Sequence, residues 1–191
     1  MDSSLASALP ALVGGLAAHS RRQRQAAAQK VYSIAQEDPS AILPYLNDLL
    51  DALGRPEAQT RWEVLDTLTL VAQAHPQEVQ PGIDAAETSL FDEDSAPVRL
   101  AAFRFLAAYG STSEARSDEV WPLLDEAIQC YHGDAEYRDM LVALYDMAQG
   151  PISEKCAHEL LDRIAFDTKS GASYIQALSE NIAKELKGKV H

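Results

Sequence analysis

The chain has 191 residues, 47% of them hydrophobic, with 16 Lys and Arg against 29 Asp and Glu and a formal net charge of -13. That length suffices for one sizeable domain, and the acidity excludes general nucleic-acid and anionic-membrane binding, both of which depend on clustered Lys and Arg. Two cysteines and no secretory signal point to a reducing compartment, so the expected location is cytoplasmic.

Hydrophobic periodicity predicts ten helices, at about 3–18, 21–36, 40–53, 60–74, 77–91, 97–109, 117–131, 135–148, 152–166 and 171–187, and no sheet. The first contains the apolar stretch Ala8 to Ala18. It resembles a signal core, but Asp2 stands where a basic start belongs, Pro10 interrupts it, and it is too short to cross a membrane. Val13-Gly14-Gly15-Leu16 lacks the strand and lysine of a phosphate-cradling loop, so close helix packing accounts for its glycines. Arg21-Arg22-Gln23-Arg24 is the one dense basic patch; it is read as neutralising the C-terminal end of the first helix, the alternative being contact with a phosphate or an acidic partner.

From Arg24 onward a pattern recurs. Taking Arg24, Arg61 and Arg99 as zero, offsets +3, +4, +7 and +11 hold Ala27, Ala28, Val31 and Ala35; then Val64, Leu65, Leu68 and Ala72; then Ala102, Phe103, Leu106 and Gly110. Arg138 is followed by Leu141, Val142 and Tyr145, and a fifth copy has Gly171 in the arginine slot before Tyr174, Ile175, Leu178 and Ile182. Such offsets return to one face of a helix at 3.6 residues per turn. The arginines are 37, 38 and 39 residues apart, and a fixed period of that size in all-helical sequence is the signature of a solenoid.

The alternate helices repeat as well: Leu9-Pro10, Leu43-Pro44, Gln80-Pro81 and Trp121-Pro122 put a proline at a similar place in four of them. Proline inside a helix removes a hydrogen bond, so each marks a shared bend or a late start, and a bend is the reading adopted. Asp38-Pro39, His75-Pro76 and Gly150-Pro151 mark boundaries. Tyr109 to Asp118 reads as a lengthened loop within the third repeat.

Chemistry-bearing groups are sparse. Cys130-Tyr131-His132 and Cys156-Ala157-His158 have zinc-ligand residue types, but residues two apart on a helix point to different faces, so no metal site is expected. His19, His75 and His191 stand at helix ends or the terminus. No nucleophile with a base and no carboxylate pair in an apolar setting appears; no catalytic residue and no cofactor are expected.

The segment Asp94-Ser95-Ala96-Pro97-Val98-Arg99-Leu100-Ala101-Ala102, with looser copies from Glu57 to Arg61 and from Asp134 to Arg138, resembles the HEAT repeat. The resemblance covers nearly the whole chain. It implies an all-α fold, a right-handed α-α superhelix (α-solenoid) of about five HEAT-like helical hairpins. These form a single domain over 1–191, with repeats at about 1–37, 38–75, 76–110, 111–149 and 150–191. It also implies a ladder of turn acids and arginines between repeats, for which Arg24, Arg61, Asp94 with Arg99, and Asp134 with Arg138 are the candidates.

In such stacks the second helices line the concave side. The flank at offsets +1, +5, +8 and +12 is therefore the expected binding strip, with Gln29, Tyr32, Trp62, Asp66, Arg104, Asp139 and Asp146 as its candidates. Trp62 beside Asp66 and Arg104 forms its centre, because aromatic and arginine side chains dominate interface energetics; the competing reading folds Trp62 over a neighbouring helix. The expected function is a non-enzymatic scaffold that binds a protein or peptide with a basic patch, and no nucleic acid or membrane. The alternative is an enzyme resembling the HEAT-like alkylpurine DNA glycosylases, with Trp62 and Asp66 as the aromatic and acidic pair; the shortage of concave Lys and Arg opposes it.

Overall fold

The computed structural model describes residues 3–190, with side chains from Ala8 onward; Met1, Asp2 and His191 lie outside, so the readings that fall on Asp2 and His191 have no structural counterpart. The described residues form ten α-helices and no strand: α1 Ser3–Gly14, α2 Arg21–Glu37, α3 Leu46–Ala52, α4 Ala58–Ala74, α5 Ile83–Leu90, α6 Ala96–Gly110, α7 Glu114–Cys130, α8 Tyr137–Gln149, α9 Glu154–Ile164 and α10 Ser173–Leu186. Odd and even helices alternate as the first and second arms of hairpins. No helix among the described residues is long and apolar enough to cross a membrane.

The prolines of the first arms act in two ways. Pro10 and Pro122 lie inside α1 and α7, whereas Pro44 and Pro81 lie in the 3-10 segments Pro39–Tyr45 and Gln80–Gly82 that precede α3 and α5. A shared bend is therefore the wrong description for the second and third hairpins, where the α-helix starts late. Proline cannot donate to the i→i−4 ladder, and the tighter 3-10 turn forms in its place.

Backbone packing divides the chain into two compact units, Met1–Phe105 and Leu106–His191, with the division inside α6. In the first unit α2 packs against both α1 and α4, and α3 lies against α4. Val31, Val64, Leu65, Leu68 and Ala72 are at most 1% exposed there, the inward stripe that the offsets predict, and Val71 beside them is buried as well. In the second unit α10 packs on α8 and α9, and α7 on α9. Leu141, Leu144, Ile164 and Ile182 are sealed from solvent. Fully burying a side chain of this size contributes about 1.5–3 kcal/mol, so these stripes dominate each unit's stability.

The expected loop from Tyr109 to Asp118 is mostly helical. α6 runs to Gly110, and α7 begins at Glu114, earlier than the expected 117, because the Ser113 hydroxyl accepts the Arg116 amide at 3.3 Å. A serine cap followed by an acidic first turn is a complete helix start. Ser153 does the same for α9, accepting the Cys156 amide at 2.9 Å.

Candidate functional site

The buried faces of the second arms fix the repeat register more tightly than the arginines do. Among the buried residues of α6, Ala102, Phe103, Leu106, Tyr109 and Gly110 have buried counterparts in α8 at Met140, Leu141, Leu144, Met147 and Ala148, each displaced by 38 residues. In α10 the buried residues Ser179, Ile182 and Leu186 lie 38 beyond Leu141, Leu144 and Ala148. Two expectations are thereby corrected. The arginine slot of the fourth repeat is Tyr137, not Arg138, and that of the fifth is Ile175, not Gly171. Gly171 instead has φ +94 in the α9–α10 turn, a left-handed conformation that glycine adopts without strain, and Tyr174 is 55% exposed rather than inward.

The ladder between repeats follows this register. Arg24 donates from Nε to Glu57 Oε1 at 2.6 Å and through its terminal nitrogens to Glu57 Oε2 at 2.8 Å and to the Ala18 and His19 carbonyls. Its bond holds the Glu57 carboxyl down at about 2, aided by the Thr60 hydroxyl and opposed by burial. Arg61 reaches the Asp92 carboxylate, and Arg99 donates to the Asp92 carbonyl at 2.8 Å, so Asp92 ties α4 to the start of α6. Burial raises the Asp92 carboxyl, but Arg61 and the Asp94 and Ser95 amides outweigh it and leave it below the ordinary range.

The acidic rungs are thus Glu57 and Asp92, where the sequence pointed to Asp94 and Asp134. The reason is reach: Asp94 is exposed and donates its own amide to Asp92 Oδ1 at 3.0 Å, closing the turn, and Asp134 is exposed in the α7–α8 turn. In the fourth repeat the buried Tyr137 takes the arginine's role, its hydroxyl donating to Asp167 in the next interhelical turn. Arg138, one residue out of register, is 58% exposed at its side chain and pairs with its neighbour Asp139.

Register also rearranges the expected binding strip. In the first unit Gln29 is exposed, Tyr32 half-buried and bonded to Gln36, and Trp62 and Asp66 half-buried on α4 facing α6. Trp62, Asp66, Pro97, Leu100, Ala101 and Arg104 line one groove of about 190 Å³. Within it the Asp66 carboxyl is pushed up by burial and partly drawn back by Arg104, while Glu63 is raised by burial and by the Asp66 charge. In the fourth repeat the equivalent flank is Arg138, Val142, Tyr145 and Gln149. Asp139 and Asp146 fall one residue aside, because the frame was counted from Arg138.

Sequence reasoning missed a second cluster, in the second unit. Asp167, 3% exposed, accepts from Tyr137 and, at 3.0 Å, from His132 Nε2 with the proton on that nitrogen. The His132 ring stands 4.7 Å from Tyr137 and 6.5 Å from Phe166, and Phe166 is 66% exposed. The signal was present as an aromatic-acid pair, Phe166-Asp167, before a turn glycine, but nothing local links it to His132, 34 residues earlier.

His132 is therefore committed to Asp167, and Cys156 is fully buried, with burial first and then Asp118 pushing its thiol up to about 12. Cys130 is a free, exposed thiol. Among the described residues no three His, Cys, Asp or Glu side chains converge as metal ligands would.

No protein-family model matches this chain, and no curated protein matches it. Solved structures do. A designed armadillo repeat protein in complex with the peptide (KR)4 superposes with a TM-score of 0.79 at 16% identity, covering 94% of this chain and 82% of the other. A second designed armadillo repeat protein gives 0.76 at 14% identity, over 93% and 81%. An engineered protein gives 0.74 at 17%, over 97% and 85%. The chain is thus an all-α helical-repeat solenoid.

Proposed function

We propose that this chain is a HEAT-type solenoid acting as a non-enzymatic scaffold that binds an extended protein segment on the flank of its second arms. HEAT repeats have two helices where armadillo repeats have three; the α-helices here alternate as two-arm hairpins, with 3-10 segments ahead of α3 and α5, and rungs from Arg24, Arg61 and Tyr137 join the first repeat to the second, the second to the third and the fourth to the fifth. The reading places it in the cytoplasm, where two free cysteines persist.

The observation that carries the proposal is the groove between α4 and α6. It sets a half-buried indole beside the Asp66 carboxylate, whose ionisation burial disfavours and Arg104 only partly restores, and a cationic side chain of the partner relieves the remaining penalty. On the same unit Gln29, Gln36 and Gln73 are exposed on α2 and α4, and their amides can both donate to and accept from a peptide main chain. A rigid stack holds these groups in place before binding, so little ordering entropy is lost. The repeat protein seen with (KR)4 supports the capacity of this architecture for such ligands.

The test is titration with an octapeptide of alternating Lys and Arg, monitored by calorimetry, with Trp62→Ala as the variant and a short DNA duplex as a second ligand. Micromolar binding that weakens about tenfold in Trp62→Ala, the loss of one hot-spot aromatic, supports the scaffold. Binding indifferent to Trp62 removes the groove, and DNA binding at moderate salt promotes the glycosylase-like enzyme instead.

A further inference from the structure

We infer that the second unit carries a separate receptor for one arginine side chain of a basic partner segment, formed by Asp167, Phe166, His132 and Tyr137. These residues, with Ile128 and Arg163, enclose a recess of about 260 Å³. That is below the range of about 300–1,000 Å³ typical of small-molecule sites, and suits the head of a single side chain.

Three features select a guanidinium. First, Asp167 has acceptor capacity to spare: a carboxylate offers about four lone-pair sites, and it receives bonds from His132 and Tyr137. Both are donors of the protein's own, neither of them Arg or Lys, and the cation on the recess wall, Arg163, gives its hydrogen bonds to Asp125 instead. Second, the Phe166 ring is exposed and meets His132 edge-on at 62°. An open aromatic face beside a carboxylate favours a flat cation, and Arg stacks and forks where Lys does neither.

Third, the surface already seats such a group. Arg163, on the wall of the recess, binds Asp125 from Nε at 2.5 Å and from a terminal nitrogen at 3.0 Å, a two-pronged pair open to solvent. Beyond it Asp125, Glu159 and Asp162 line an adjoining groove of about 300 Å³ along Trp121, so flanking basic residues of the same segment meet carboxylates. A second copy of this chain, at net charge -13, is disfavoured as the occupant. This recess is independent of the α4–α6 groove and stands whether or not that groove binds.

The experiment is nuclear magnetic resonance titration of the full chain with the blocked tetrapeptide Gly-Arg-Arg-Gly, alongside its Lys and Glu analogues. Phe166→Ala tests the recess; the ring is exposed, so folding is preserved. Expected are shifts at His132, Phe166 and Asp167, an affinity read from those shifts about tenfold lower in Phe166→Ala as a cation–π contact is lost, and weaker binding of the Lys peptide there. Binding of the Glu peptide as tightly as the Arg peptide, no shifts at His132, Phe166 and Asp167, or a Phe166→Ala variant whose recess binds like the parent's overturns the assignment.

Discussion

The Tyr137 hydroxyl donates to the carboxylate of Asp167, 30 residues further along the chain, just as Arg24 reaches Glu57 and Arg61 reaches Asp92. A neutral rung suits this place because Tyr137 is 5% exposed, and a buried phenol costs far less to desolvate than a guanidinium. Burial first, then the bond to Asp167, pushes its ionisation far above the usual range, so the donor proton stays in place at every working pH. Tyr137→Phe keeps the packed ring and removes the donor, leaving Asp167 with His132. Urea unfolding should register a loss of about 1–3 kcal/mol, the cost of stripping one partner from a buried acceptor; an unchanged midpoint shows that the rung is idle.

Glu57 makes the first rung sensitive to acid. Its folded value of about 2 lies below the ordinary 4.5, chiefly through the hydrogen bond from Arg24. Its contribution is therefore complete above about pH 4.5 and drains away as pH falls toward about 2. Thermal unfolding measured across that window should show a steep decline in the parent. Glu57→Gln should start lower at neutral pH and decline less steeply; parallel profiles would mean that Glu57 is no more ionised in the fold than in the unfolded chain.

Gly150 closes the α8–α9 junction against the backbone of the α6–α7 turn. A methyl group there would run into the Ser111 carbonyl oxygen, which is backbone and cannot swing aside. Gly150→Ala should thus destabilise the protein by about 2–4 kcal/mol, in the range of strain and overpacking effects. Gly133→Ala provides the contrast: nothing crowds its Cβ, and its φ of +91 alone carries the cost, about 1 kcal/mol for a left-handed non-glycine residue. Equal losses at the two positions would show that the contact with Ser111 has relaxed.

Helix positions and the inward stripe were legible because both follow from local periodicity, and Ala27, Leu65 and Phe103 are buried where the offsets put them. The register of repeats four and five was not. Arg138 imitates the motif by its residue type, yet the helix face is decided by which side chains can be buried, and Met140, Leu144 and Met147 outvote one exposed arginine. Trp62 and Asp66 share a groove because they are one turn apart on a helix whose neighbour lies 38 residues on, a relation the period supplies. The His132, Tyr137 and Asp167 cluster joins two irregular turns, and turns carry no periodicity that would announce their meeting.

Arg61 and Arg138 test the register directly, since they look alike in sequence and differ in structure. Arg61 is 16% exposed and holds an Asp92 that is itself only 13% exposed, so Arg61→Ala leaves a nearly buried carboxylate without its cation. The expected loss is about 1.5–3 kcal/mol, typical of a hydrogen bond to a charged group whose partner stays behind. Arg138 stands in solvent and touches only the partly exposed Asp139 among its ion pairs. Exposed pairs of this kind contribute about 0–1 kcal/mol, so Arg138→Ala should unfold at nearly the parent's urea concentration. If instead Arg138→Ala costs as much as Arg61→Ala, then Arg138 is the true rung of the fourth repeat, and the 38-residue frame that places Tyr137 in that role is wrong.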